Sequence, residues 1–153
     1  MRRLLVLLVL IAVAAPLASP ASAAKPTREP LPIDNLVISD VCSFTVTRTV
    51  LVNKSFITTY SNGDARITGI FKQRLTNLST GKFVDLTSPG PVLLDFHPDG
   101  SLTEIDYGPQ FERPPGQLLL TTGRVRWEFD ENGDFVSYTQ LSGSTRDVCT
   151  VLG

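Results

Sequence analysis

From Cys42 to the C-terminus, runs rich in Val, Ile, Thr, Phe and Leu are cut at short intervals by Asn62-Gly63, Thr80-Gly81, Pro89-Gly90, Asp99-Gly100 and Asn132-Gly133. Glycine after Asn or Asp supplies the positive φ that tight reversals need, and β-branched and aromatic residues suit a pleated, half-buried surface. No stretch of this region holds a helical period over twelve residues. A chain patterned in this way is all-β and mostly antiparallel. The punctuation divides it into about eight strands, near 43–60, 65–78, 83–87, 91–97, 101–107, 117–129, 134–141 and 145–152. The first span is too long for one straight strand, so a bend or bulge is expected near Asn53-Lys54-Ser55.

Three turns fix registers. Ser61-Asn62-Gly63-Asp64 suits a two-residue type I′ hairpin, which sets Tyr60 against Ala65 and Phe56 against Gly69. Phe56, Tyr60, Ile67 and Phe71 then share a face with Phe44, Val46, Val50 and Val52. Pro98-Asp99-Gly100 and Glu131-Asn132-Gly133 each suit a type I turn followed by a bulged glycine. In the last hairpin Val125, Trp127, Phe129, Phe135 and Leu141 point inward, and Arg124, Arg126, Glu128, Tyr138 and Gln140 outward. In the middle hairpin the inward set is Val92, Leu94, Phe96 and Leu102, together with Glu104 and Asp106.

The N-terminus is organised differently. Arg2-Arg3, an apolar run from Leu4 to Ala15 and the small residues Ala21-Ser22-Ala23 have the form of a secretory signal peptide over 1–23. Twelve apolar residues are too few to span a bilayer, which needs about 20, so no membrane anchor is expected after cleavage. Residues 24–40 hold Pro26, Pro30 and Pro32 with no apolar period, and read as a tether. One domain remains, 41–153. For a secreted chain with two cysteines near the ends of that domain, Cys42 and Cys149 read as a disulfide. An up-and-down meander of eight strands brings the first and last strands together, and their pairing would close a β-barrel around packed side chains or one small ligand. A two-sheet sandwich is the alternative.

The composition limits function. With 14 Lys+Arg, 15 Asp+Glu and one His, the chain lacks the basic excess of a nucleic-acid binder and the ligand set of a His/Cys zinc site. Asp95-x-His97-x-Asp99 alternates like strand-borne metal ligands, but turn chemistry accounts for it. Asp130-Glu131-Asn132-Gly133-Asp134 resembles a calcium loop, yet Phe135 stands at its required glycine and Leu141 at its bidentate acid. No metal and no cofactor is therefore expected. No G-x-S-x-G elbow is present either. Asn53-Lys54-Ser55 and Asn77-Leu78-Ser79 are glycosylation sequons. The candidate ligand-binding residues are Arg48, Glu104, Asp106 and Trp127 inside, and Phe111 in the long loop Gly108–Gly116 at the end opposite the cysteines.

Cys42, Thr80-Gly81-Lys82, Pro98-Asp99-Gly100-Ser101-Leu102 and Cys149 resemble the pattern of small secreted proteins of high-GC Gram-positive bacteria. The architecture is similar to calycin-like and allene-oxide-cyclase-like barrels. That resemblance implies secretion and a barrel, and carries no activity. The leading expectation is a secreted barrel binding a small apolar or amphipathic ligand. An interaction or structural module with a filled core is the second, and an isomerase- or cyclase-like enzyme using the interior acids is the third.

Overall fold

The computed structural model describes residues 24–153; the signal-peptide expectation lies outside the described residues. Ten strands form one antiparallel sheet: β1 (Thr27–Pro30), β2 (Leu36–Ile38), β3 (Val46–Thr59), β4 (Ala65–Asn77), β5 (Phe83–Ser88), β6 (Val92–Phe96), β7 (Leu102–Tyr107), β8 (Gln110–Glu112), β9 (Leu119–Phe129) and β10 (Phe135–Asp147), followed by α1 (Val148–Leu152). The strand order is β1-β3-β4-β6-β7-β9-β10, with β2 on β3, β5 on β4 and β8 on β9.

The sheet does not close, which corrects the barrel. The expected eighth strand, 145–152, does not exist as such. β10 runs on to Asp147, and the Asp147 side chain then accepts the Thr150 amide at 2.7 Å as an N-cap that starts α1. With a helix where the closing strand should be, β10 keeps a free edge. The sandwich alternative fits instead. Along β4 the register of β5 (Thr76↔Phe83 to Phe71↔Ser88) resumes without slip in β6 (Ile67↔Val92). Along β9 the register of β7 (Tyr107↔Arg124) resumes in β8 (Gln110↔Thr121). β6 and β7 pair with each other, but β5 and β8 do not. Pro89, Pro91 and Pro109 remove amide donors where the ladder would continue, so the sheet splits there.

Below the split two layers enclose the core. Ile38, Val46 and Leu75 pack with Leu118, Leu120, Val148 and Leu152. β3 and β4 are separated from β9 by β6 and β7 in the sheet, so these contacts require the sheet to fold over on itself. Cys42 and Cys149 are bridged, with Cα atoms 5.4 Å apart, which ties the β2–β3 connection to α1. The segment read as a tether is extended but paired: β1 and β2 both bond β3, and Ile38 is in the core.

All three hairpins use one turn. Tyr60 N–H donates to Asp64 O and Gly63 N–H to Tyr60 O, and the same pair of bonds recurs at His97/Ser101 and at Asp130/Asp134. Gly63, Gly100 and Gly133 have φ of 97°, 91° and 81°. The type I′ expectation at Asn62-Gly63 is thus corrected to a type I turn with a bulged glycine, which shifts the register by one residue. Thr59, not Tyr60, pairs Ala65, and Ile57 pairs Ile67. Phe56 consequently faces the other side, where the Arg28 guanidinium stacks on it at 4.0 Å. The bulge expected near Asn53–Ser55 lies between Val50 and Val52.

β9 and β10 crease where Gly123 pairs Gly143, at φ of 90° and 89°. A Cβ on Gly143 would lie 2.0 Å from the Thr122 carbonyl oxygen. Gly143→Ala should therefore lower the urea midpoint by the equivalent of more than 1 kcal/mol, through both strain and clash. An unchanged midpoint would mean that the crease is not required.

Candidate functional site

The middle hairpin has the register that its turn implies. Leu94 pairs Glu104 and Val92 pairs Asp106, while Glu104 pairs Trp127 and Asp106 pairs Val125 on the other side. Glu104, Asp106 and Trp127 are thereby brought onto one face. Trp127 is 8 % exposed, and its indole N–H donates to Asp106 Oδ2 at 3.0 Å. Ser137 pairs Glu128 and Thr139 pairs Arg126, which puts both hydroxyls on the opposite face from this indole.

A third acid joins them. Glu112, 7 % exposed, lies on β8, within the stretch read as a loop. The Thr121 hydroxyl donates to Glu112 Oε1 at 3.4 Å. Glu104 and Glu112 are both close enough to Asp106 for the three carboxyls to titrate together. Burial, followed by the charge of Asp106, pushes Glu104 up to about 8; the same causes, with Glu104 added, push Glu112 up to about 9. Burial also raises Asp106, but bonds from Glu104, Trp127 and Glu112 oppose the rise. At neutral pH Glu104 and Glu112 keep their protons, which places two neutral carboxylic acids beside Asp106, the acceptor of the indole. Among the described residues, no group of three or more His, Cys, Asp or Glu has a metal-holding arrangement.

Two bulges in β10, at Val136 and Leu141, move residues between faces. Tyr138, expected outside, pairs Trp127, and their ring centres are 4.9 Å apart at 74°. Its phenol oxygen is buried without a partner, and burial, followed by the charge of Glu112, holds its pKa up at about 12. Gln140 likewise pairs Val125, whereas Leu141 sits in the bulge, 38 % exposed.

The structure does not bring the other two candidates to this cluster. Phe111 is part of β8 and packs against the same core cluster as Cys42, a cluster that includes Val148 of α1, which corrects its placement in a loop at the far end from the cysteines. Arg48 donates through Nη2 to the Asp34 carbonyl at 2.9 Å, and its Nε is buried without a partner. Burial first, then the nearby Arg113 charge, lowers its pKa, with Asp34 opposing. Of the sequons, Asn77 is 2 % exposed and donates to the Leu152 carbonyl at 3.0 Å.

His97 Nε2 lies 2.9 Å from Thr103 Oγ1, and that hydroxyl donates to Glu128 at 2.9 Å. The hydroxyl therefore accepts from His97, the reverse of the polarity that activates a nucleophile. Asp99 accepts from the Ser101 amide and hydroxyl at 3.0 and 2.7 Å, as a turn residue.

Two concavities flank the acids. A wide, open groove of about 450 Å³ runs between the first hairpin tip and β6, with Leu94 in its wall. A smaller, more enclosed cavity of about 130 Å³ is lined by Leu31, Ile33, Ile67, Phe71 and Val92, with Ser55, Thr68, Ser88 and Gln110 among its polar residues. Neither is lined by Glu104, Asp106 or Glu112; Leu94, the cross-strand partner of Glu104, lines the first and Val92, the partner of Asp106, lines the second. The cavity exists because the sheet splits at Ser88 and because residues 31–35 strap across β3. Leu31 N–H bonds Ser55 O at 3.0 Å, Asn53 Nδ2 bonds Leu31 O at 2.8 Å, and Val50 N–H bonds Asn35 Oδ1 at 2.7 Å.

Compared with protein-family models, curated proteins and solved structures, the chain has no significant match in any of the three.

Trp127 reports on this site. Its emission should be blue-shifted and resistant to acrylamide, and Trp127→Ala should cost about 3–5 kcal/mol. A red-shifted, freely quenched indole would contradict the register of β7 and β9.

Proposed function

We propose that the protein is a secreted, non-catalytic binding module for a small, largely apolar ligand. The observation that carries this reading is the half-enclosed cavity beneath the strap, whose accessible walls are mostly apolar. Its 130 Å³ is close to the ~150 Å³ of a dry engineered cavity that binds benzene, and well below the ~300–1,000 Å³ of drug-sized sites. The ligand is therefore about the size of one six-membered ring. The disulfide is compatible with an oxidising compartment and hence with secretion.

The acids favour a structural part in this reading. Glu104 and Glu112 are proton-bearing at neutral pH, as a general acid must be, which is the one observation favouring an isomerase-like activity. Neither, however, lines either of the two concavities. They serve the module by closing the inner face around Trp127.

Titrating benzene into labelled protein should shift the amide and methyl signals of Ile67, Phe71 and Val92 saturably. Ile33→Trp, which fills the cavity, should abolish those shifts. Shifts that persist in Ile33→Trp, or that are absent from the cavity residues in the unmodified protein, would overturn the proposal.

A further inference from the structure

Ser88 stands out among the cavity residues. It is 6 % exposed, and its buried hydroxyl has no hydrogen-bond partner among the described residues. The reason is local to the fold. Ser88 ends β5 opposite Phe71 of β4, and the other side of β5 faces the split, where β8 has separated from it. A buried hydroxyl left without a partner costs about 1–3 kcal/mol, so an occupant that satisfies it gains what the protein lacks. The remaining wall selects against charge. Among the described residues no Asp, Glu, Lys, Arg or His lines the cavity, and an ion brought there would lose its hydration without a counter-charge.

Resting on the binding reading above, we propose that Ser88 Oγ is the polar anchor of the cavity, and that the ligand is a neutral, ring-sized molecule bearing one hydroxyl or carbonyl group. A serine hydroxyl can accept from an alcohol or phenol and donate to a ketone, so both belong to the class. The apolar body lies against Leu31, Ile33, Phe71 and Val92. A carboxylate or amine of the same size is excluded by its charge.

Phenol and toluene test this directly, because they share one shape and differ in a hydroxyl against a methyl. Phenol should bind about tenfold more tightly than toluene, the equivalent of one neutral hydrogen bond. Ser88→Ala should reduce phenol affinity about tenfold while leaving toluene affinity unchanged. Intermolecular NOEs from phenol to the methyls of Ile67 and Val92 should place it in the cavity without any variant. If both probes bind there with equal affinity, or if Ser88→Ala leaves phenol unaffected, the anchor is wrong while the cavity reading stands. An ordered water on Ser88 that phenol does not displace also overturns it. If neither probe reaches the cavity, the binding reading itself fails.

Discussion

Stability should fall by several kcal/mol between pH 5 and pH 9, and the loss should come from Glu104 and Glu112. Their carboxyls are held up at about 8 and about 9 by burial and by the neighbouring Asp106 charge, against an ordinary value of 4.5. A raised folded-state pKa means that the folded protein holds protons that the unfolded chain has released. The stability these groups contribute is complete below about 4.5, declines through the interval above it, and is lost once pH passes 8 to 9. Each such proton changes stability by about 1.4 kcal/mol per pH unit across that interval, which is on the order of 5 kcal/mol for Glu104 alone. At the acid end the sign reverses. Asp99 and Asp130, held low by hydrogen bonds within their turns, give up their contribution as they protonate. The maximum therefore lies in the weakly acid range. Urea titrations at half-unit pH intervals should trace this curve. Glu112→Gln, which mimics the protonated side chain, should flatten its alkaline limb. A flat profile from pH 5 to 9 in the unmodified protein would show that the acids are ionised or solvated.

Reducing the Cys42–Cys149 bridge should cost about 5 kcal/mol, the chain-entropy estimate for a closed loop of 107 residues. The cost should be concentrated at one end of the molecule. Val148 and Leu152 of α1 are fully buried against Val46 and Leu75, and a five-residue helix has no stability of its own. Without the bridge α1 should fray first, releasing Leu118, whose carbonyl accepts the Val148 amide at 2.9 Å. Hydrogen exchange on the reduced protein should show amides at 148–153 losing protection ahead of those in β3 and β4. Uniform loss of protection would mean that the bridge acts only on the unfolded chain.

What was legible in the sequence follows the strength of its local signals. Pro98-Asp99-Gly100 admits one turn, so the inward direction of Glu104 and Asp106 could be read two and four pairs beyond the closing pair Phe96↔Leu102. Asn62-Gly63 is compatible with two turns that differ by one residue. The choice was made by Asp64, which accepts from Asn62 Nδ2 at 2.6 Å and, across the sheet, from the Phe96 amide at 3.3 Å. That second contact is 32 residues away, beyond any local reading. The bulges at Val136 and Leu141 have no marker of their own, and they turned Tyr138 toward Trp127. Glu112 was hidden because three strand residues between Pro109 and Pro114 look like loop. α1 was hidden by its length, although Asp147 followed by Thr150 and Gly153 carries both caps. The open sheet follows from that helix, since no local pattern distinguishes a strand that closes a barrel from one that ends at its rim.

The split between β5 and β8 leaves a mostly apolar, fillable space beneath the strap at Leu31–Asn35. A crystal of the oxidised protein under xenon pressure measures this most directly, because xenon enters apolar cavities of this size without needing a polar partner. One strong xenon site should appear among Leu31, Ile33, Phe71 and Val92 and be absent from Ile33→Trp crystals. Side chains or a chain of ordered waters filling that space, with no xenon, would contradict it.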